Sequence, residues 1–264
     1  MASTSQRPLS KLEALILSMI GLAGFFGIWL AASMSGYVPR QFLPTPFEVL
    51  ARATHLVAAP FAGATLPMHL ARSLERYAYG VALAASIGVP LGLAMGLYRW
   101  LDDIVTPVFD GLRFIAPIAW VPFAALWFGT GIGGPIMIIF SGAFPPCLMN
   151  AHRGAWFVDQ KYIEAAQMLG TSSLRTITEV LLPASLPSII AGLRVGAGLG
   201  WQSLVGAELI VASAGVGYMI VQGQSNISTP TVMAGMLAIG LVGLLIDVAL
   251  RQLEALVRRT RGLA

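Results

Sequence analysis

The sequence predicts an all-α membrane protein with six transmembrane helices, and three observations predict it. Charged residues make up 11% of the 264-residue chain and hydrophobic ones 56%, whereas soluble domains carry roughly 25% charge. So little polar surface cannot cover a water-soluble core of this size. Several uncharged stretches reach the ~20 residues that cross a bilayer; the longest, Phe114–His152, runs 39 residues without Asp, Glu, Lys or Arg. The 16 Lys and Arg residues, against 12 Asp and Glu, are dispersed between apolar runs. Topology-setting loop charges have that distribution and nucleic-acid patches do not, so no nucleic-acid partner is expected. A single cysteine, Cys147, excludes an intramolecular disulfide.

The first span is expected over about residues 13–34. Ala31-Ala32-Ser33 imitates a signal-peptide cleavage site, but the apolar core exceeds the usual ~7–15 residues of such peptides, which favours a retained helix. Tyr37 to Pro67 is a proline-punctuated connection. Within it Thr45-Pro46-Phe47-Glu48 has the form of a capping box opening a short surface helix that ends before Pro60. The second span covers about 70–97. Gly80, Ala84, Gly88, Gly92 and Gly96 recur every four residues along it, a seam of small side chains through which two membrane helices approach closely. Pro90 inside the run predicts a kink.

Arg99 to Arg113 reads as a short polar connection containing Asp102, Asp103 and Asp110. The uncharged run that follows is too long for one span, and the turn signal Gly129–Pro135 divides it into spans at 114–128 and 135–150. The third span is short and holds Pro117 and Pro122, so it is expected to be irregular and to line a cavity, because non-helical backbone at membrane depth needs protein or water beside it. Residues 153–183 form the next loop. In it Tyr162, Ala165, Ala166 and Leu169 have the spacing of an apolar helix face, Gly170 supplies a left-handed stop, and Thr171, Ser172 and Ser173 offer caps for a second short helix ending before Pro183. An amphipathic pair between two spans needs headgroups, the protein or a partner to lie on.

Pro187 opens span five, about 187–211, with a second small-residue ridge at Ser188, Gly192, Gly196 and Gly200. Arg194 either snorkels to the interface or pairs internally. Glu208 lies at the far end of the same helix, as a gate or as a hydrogen-bond partner. Trp120, Trp201, Gln202 and Ser203 are candidate path-lining groups. Residues 212–230 read as a loop or a re-entrant hairpin, and span six covers about 231–250. With a cytoplasmic N-terminus, the inner segments hold eleven basic residues (Arg7, Lys11, Arg99, Arg113, Arg153, Lys161, Arg175, Arg251, Arg258, Arg259, Arg261) against four outside (Arg40, Arg52, Arg72, Arg76). Both termini and the 153–183 loop then face the cytoplasm.

Chemistry is sparse. The two lysines, Lys11 and Lys161, belong to no G-x-x-x-x-G-K-[ST] loop, which excludes a P-loop NTPase built from this chain alone. His55, His69 and His152 have no metal-binding spacing, and no G-x-S-x-G elbow occurs. No catalytic or metal-ligating residue is expected. A stand-alone secondary transporter or channel is the alternative; it predicts intramembrane carboxylates or inverted repeats, and the sequence offers one marginal Glu and no visible repeat.

Glu164-Ala165-Ala166, then three residues and Gly170, then nine residues and Val180-Leu181-Leu182-Pro183 resembles the EAA motif of bacterial ABC-importer permeases; Val180 stands where the family pattern has Ile. The motif lies 100 residues before the C-terminus, the usual family distance. Ala116–Pro122, Trp127-Phe128-Gly129, Gly192-Leu193-Arg194, Gly200-Trp201 and Ala207-Glu208-Leu209 resemble the taurine, sulfonate, nitrate and bicarbonate branch, and taurine-type permeases most. The likeness runs over roughly 37–255. It implies that residues 1–264 form a single transmembrane permease domain of the type I ABC importer fold, in the bacterial inner membrane, moving a small anionic solute inward by alternating access. It also implies a permease homodimer, two separate ATPase subunits that bind ATP and Mg, and a periplasmic or lipid-anchored substrate-binding protein, with no cofactor on this chain. Glu164, Ala165, Ala166, Gly170, Leu182 and Pro183 would be the ATPase-coupling residues.

Overall fold

A computed structural model of the chain describes residues 10–129 and 131–260. Arg7, Thr130 and Arg261 lie outside them, as do the side chains of Lys11 and Arg258. Every regular element among the described residues is a helix, with no strand beyond one isolated bridge between Phe61 and Ala64. Five helices are long and apolar enough to cross a membrane, or six traverses if one bent pair counts as a span.

Three long helices make the core. α3 (Leu66–Leu97) and α9 (Leu182–Ile210) flank α6 (Gly133–Trp156). The inward stripe of α6 carries Ala143, Cys147, Ala151 and Ala155, all essentially inaccessible. The glycines of α3 press on one side of it: a Cβ at Gly80 would lie 2.5 Å from Ile139 Cγ2, and one at Gly92 2.5 Å from the Leu148 carbonyl oxygen. Gly88 meets Cys147 and Leu148, and Gly96 meets Ala155. The glycines of α9 press on the other side. A Cβ at Gly192 would lie 2.5 Å from Asn150 Cβ, and one at Gly196 2.8 Å from the Ala143 carbonyl oxygen; Gly200 fits against Val81 and Ile139. Both ridges therefore serve one shared helix. In lipid no hydrophobic drive pulls helices together, so this backbone-to-backbone approach and its dispersion contacts must do so.

The other helices are added around that core. α1 (Lys11–Met34) opens on a capping box between Ser10 and Glu13. None of its apolar window is buried, and it joins the body only near its end, where Trp29 Nε1 donates to the Pro44 carbonyl at 3.0 Å and Ser33 Oγ to that of Leu43 at 2.8 Å. α2 (Pro46–Ala58) starts on the Thr45–Glu48 box, Thr45 Oγ1 accepting from Glu48 N and Glu48 from Thr45 N. Its Val49 and Leu56 pack with Leu66, Val216, Met219 and Ala234. α10 (Val216–Ser225) fills the stretch left open between loop and hairpin, and α11 (Thr229–Thr260) follows.

Two expectations are corrected. The stretch after Arg99 is not a polar connection but a helix, α4 (Arg99–Leu112). Leu101, Val105 and Phe109 turn inward at four-residue spacing onto Met95 and Leu148, and Thr106 Oγ1 donates to Asp102 at 2.6 Å. Charged residues close to the turn masked this face. α4 and the following segment, a 3-10 turn Pro117–Trp120 and α5 (Val121–Phe128), bend by 87° at their junction, so the third traverse is one broken element from Arg99 to Phe128. Nor does a short helix end before Pro183. α8 (Ser173–Thr176) runs through a π turn, Ile177–Leu181, directly into α9, so the fifth span begins at Ser173 rather than Pro187. In the π turn Leu182 N–H reaches back five residues to the Ile177 carbonyl. The wider turn absorbs Pro183, which has no N–H to give and would crowd the carbonyl four residues earlier.

Candidate functional site

The coupling-motif stretch folds into α7 (Gln160–Met168), a left-handed turn, and α8. Asp159 caps α7: its Oδ1 accepts from Lys161 N at 3.2 Å, and its Oδ2 lies 2.6 Å from Lys161 Nζ. Hydrogen bonding to Lys161 holds the Asp159 carboxyl below the usual carboxylate range and raises Lys161 in return; both side chains are exposed, so the pair is screened by water. Gly170 takes φ +73° with open space around it. The Thr171 N–H bonds the Ala166 carbonyl at 3.2 Å, the six-to-one bond that closes a Schellman helix end. The Thr171 hydroxyl donates to the same carbonyl at 2.8 Å and lies 3.0 Å from that of Thr176, which ties α7 to α8.

The apolar face of α7 is not the one its spacing suggests. Ile163 packs on a cluster of Leu93, Ala151, Ala155 and Leu181 and Ala166 is buried, while Tyr162, Ala165 and Leu169 are exposed. Periodicity alone cannot say which of two neighbouring stripes the bundle covers. Met168 is 88% exposed, Leu169 84% and Leu174 72%. Glu164 is exposed beside them, at the lip of a polar notch of about 420 Å³ that Arg99, Trp156 and Ile163 also line. Leu182 and Pro183 are half-buried at the start of α9. The result is a bent, apolar and carboxylate-bearing surface at one end of the molecule.

At the opposite end Glu208 is 1% exposed and surrounded by donors. Arg76 Nη1 donates to Oε1 at 3.0 Å, Ser73 Oγ lies 2.8 Å from both oxygens, and Gly217 N donates to Oε2 at 3.0 Å. Arg76 also donates to the Ala214 carbonyl, and Ser73 Oγ accepts from Val216 N at 3.0 Å. His69 completes the group, its Nδ1 accepting from Gly215 N at 3.3 Å and its Nε2 2.9 Å from the Phe61 carbonyl. With Nδ1 an acceptor, Nε2 is the nitrogen that donates to the Phe61 carbonyl. Gly215 holds φ +114°, and a Cβ there would collide with the Glu208 carboxylate. Arg76, counted from the sequence as a loop charge on the outer side, is thus an interior ion-pair partner. His69, Ser73 and Arg76 precede Gly80 at helical spacing on the stripe that Gly88 and Gly92 continue, so the signal was present as three polar residues extending an apolar seam.

The candidate path residues divide by helix face. On α9, Trp201 and Leu204 share the buried face with Glu208: the Trp201 indole donates to the Ile239 carbonyl at 3.1 Å and stands edge-on to Tyr77. Leu199, Gln202, Ser203 and Gly206 share the other, and together with Arg113, Ser141, Pro145 and Pro146 they line a cavity of about 340 Å³ at the bend of the broken span. Trp120 lies next door, in an apolar cavity of about 200 Å³ between α4 and α6. Arg194, on the remaining side of α9, pairs internally, 3.1 Å from Asp247 and 3.3 Å from Glu254 on α11. No group of three or more His, Cys, Asp or Glu that could hold a metal ion forms among the described residues.

A family model described as the inner membrane component of binding-protein-dependent transport systems matches residues 88–261. The taurine transport system permease protein TauC of Escherichia coli is 37% identical over 94% of this chain and 90% of its own. The bicarbonate transport system permease protein CmpB of Synechococcus elongatus is 34% identical, with 90% and 87% covered. The nitrate import permease protein NrtB of Synechocystis is 34% identical, with 81% and 80% covered. Among solved structures, the inward-facing MetNI methionine ABC transporter superposes with a TM-score of 0.58 over 70% of this chain and 93% of that chain, at 19% identity, a likeness of fold. A bundle with two glycine ridges on one helix, a bent apolar surface at its end and no nucleotide loop in its sequence is thus accounted for: this chain belongs to the family of binding-protein-dependent transport system inner membrane components and is the membrane-spanning permease subunit of an ABC importer.

Proposed function

We propose that this permease carries a small oxyanion into the cytoplasm as a homodimer, driven by two ATPase subunits that dock on α7 and α8 and supplied by a periplasmic or lipid-anchored binding protein. The observation that carries the reading is the α7–α8 surface. Met168, Leu169 and Leu174 are exposed beside Glu164 at the end of the bundle, and apolar patches of this kind mark protein or membrane contacts; the carboxylate and the bend among them favour a protein partner. Ala165 lets the helix sit close to a groove, Glu164 supplies one directional ion pair, and Gly170 sets the angle between the helices. Leu182 and Pro183 pass the motion through the π turn into α9. ATP and Mg belong to the partner, and this chain contributes no catalytic group.

Orientation follows from the same surface. Six traverses, counting the broken one, leave both termini on the side of α7, and basic residues favour that side as the cytoplasm. Three relatives whose names specify taurine, bicarbonate and nitrate support a small oxyanion as the cargo. The test is to purify the permease together with the ATPase subunit of its own operon and reconstitute the pair in proteoliposomes. The expected result is stoichiometric retention and ATP-dependent uptake of one such anion. Uptake by the permease alone, driven by an ion gradient, would sink the reading in favour of a secondary transporter.

A further inference from the structure

The polar notch beside α7 lies at the level of lipid headgroups. Gly96 and Leu97, the last residues of α3, and Ala155 and Trp156, the last of α6, wall it. α6 is 24 residues long, about 36 Å at ~1.5 Å per residue, so its ends pass just beyond a hydrocarbon core of ~30 Å. Trp156, at the edge of the notch, is 60% exposed, and Trp100, next to Arg99 in the chain, is 63% exposed. Exposed indoles at the ends of membrane spans sit among headgroups. At about 420 Å³ the notch has the size of a small-molecule site.

Two opposite charges line this space and do not meet. Arg99 comes to it from α4 and Glu164 from α7, both exposed. Neither makes a hydrogen bond or an ion pair among the described residues, although Asp103 stands one turn from Arg99. Nearby charges are engaged elsewhere: Asp102 accepts from Thr106 at 2.6 Å and lies 3.5 Å from His152, and Lys161 lies on Asp159. The end of α3 adds partial negative charge on the Glu164 side of the balance, because a helix C-terminus favours cations. A guanidinium and a carboxylate held apart across one polar gap complement a ligand with an anion at one end and a cation at the other.

We propose that the notch binds the headgroup of phosphatidylethanolamine from the adjoining leaflet. The phosphate accepts from the Arg99 guanidinium, whose fork matches it. The ammonium donates to one oxygen of Glu164, and the acyl chains run past Trp100 and Trp156 into the bilayer. A choline headgroup has no N–H to give the carboxylate, and a glycerol headgroup has no cation; each uses half of the notch. Binding itself is independent of how the chain is driven. Its consequence, that the lipid holds α7 at a fixed height while the second Glu164 oxygen meets the ATPase, rests on the proposed docking.

The test places the complex with its ATPase in nanodiscs of equal parts phosphatidylethanolamine, phosphatidylcholine and phosphatidylglycerol, and reads the lipids still bound by native mass spectrometry. Phosphatidylethanolamine should be retained over either of the others by about tenfold, the worth of one charge-assisted hydrogen bond. Glu164→Gln should bring its ratio to phosphatidylcholine close to one. Arg99→Gln should cut the lipid retained per permease by about tenfold, and Arg99→Lys should restore part of it. Arg153→Gln, at an exposed arginine outside the notch, should change neither, and soluble phosphoethanolamine should not displace the lipid. Equal retention of the three lipids, a preference for phosphatidylglycerol, a ratio that survives Glu164→Gln, or equal losses in Arg99→Gln and Arg153→Gln would overturn the proposal. Displacement by phosphoethanolamine would overturn the lipid as occupant. A complex that keeps its ATPase without any lipid preference removes this proposal and leaves the importer reading standing. A permease that shows the preference but never holds the ATPase removes that reading and leaves this one.

Discussion

The two ends of the path through α8 and α9 are built on opposite plans. At the α10 end an arginine and a glutamate are fully enclosed, and Ser73, Gly217 and the Ala214 carbonyl answer their remaining valences. At the α7 end the charged groups stand in solvent and large apolar side chains stand there with them. The first arrangement closes the molecule on itself, locking the turn after α9 onto α3. The second leaves the molecule open, as the proposed ATPase dock requires. A permease driven from one side needs both: a firm lever and an unfinished handle.

Breaking the locked end should cost stability and spare the handle. Glu208→Ala leaves Arg76 buried without its carboxylate, and is expected to destabilise the protein by about 3–5 kcal/mol, measured by chemical unfolding in detergent, while the folded fraction still retains the ATPase. Replacing both partners, Arg76→Met with Glu208→Leu, should cost less than the single change. Overfilling the seam comes next. Gly92→Leu pushes a side chain at the Leu148 backbone and should cost about 1–3 kcal/mol or more, read in the same assay. Gly170→Val, at φ +73° with no neighbour to strike, should cost only about 1–2 kcal/mol yet abolish ATPase capture on an affinity resin. A Gly170→Val protein that captured the ATPase normally would show that the bend angle is irrelevant. Glu164→Ala should leave the unfolding curve unchanged and reduce ATP-dependent uptake about tenfold, the loss of ~1.4 kcal/mol of directional binding.

Lys161→Ala marks the small end of the scale, with no resolvable change in unfolding. Asp159 is lowered by Lys161, so its contribution is complete above the ordinary carboxylate range and is lost as pH falls through the depressed value. Lys161 is raised, so its contribution is lost only as pH rises through the elevated value. Between about pH 6 and pH 9 the variant should track the parent, and a pH-dependent gap within that window would contradict the assignment of the pair as an exposed cap.

Much of the fold was legible in the residues because membrane helices advertise themselves. Long uncharged runs, the four-residue glycine ridges and the Thr45–Glu48 box are local features whose physics needs no partner. The failures share a cause. α4 was hidden by its acidic residues, since three inward side chains at four-residue spacing are a weak signal beside Asp102, Asp103 and Asp110. Pro183 looked like a helix end, because nothing local reveals that a π turn will accommodate it. Glu208 was found, but its partners were not, since Ser73 and Arg76 come from a helix more than 130 residues away.

By itself the sequence determined the class of molecule, the existence of the spans, the stop at Gly170 and the family motif at Glu164–Gly170. Each follows from hydropathy, from spacing, or from a backbone angle only glycine adopts freely. The tertiary structure alone decided which faces those elements use. It brought both glycine ridges onto α6, turned Ile163 inward and Leu169 outward, enclosed Glu208 among donors, and set Gln202 and Ser203 across from Arg113 while Trp201 went to packing. A helix has several stripes, and only the neighbours it meets determine which one is buried.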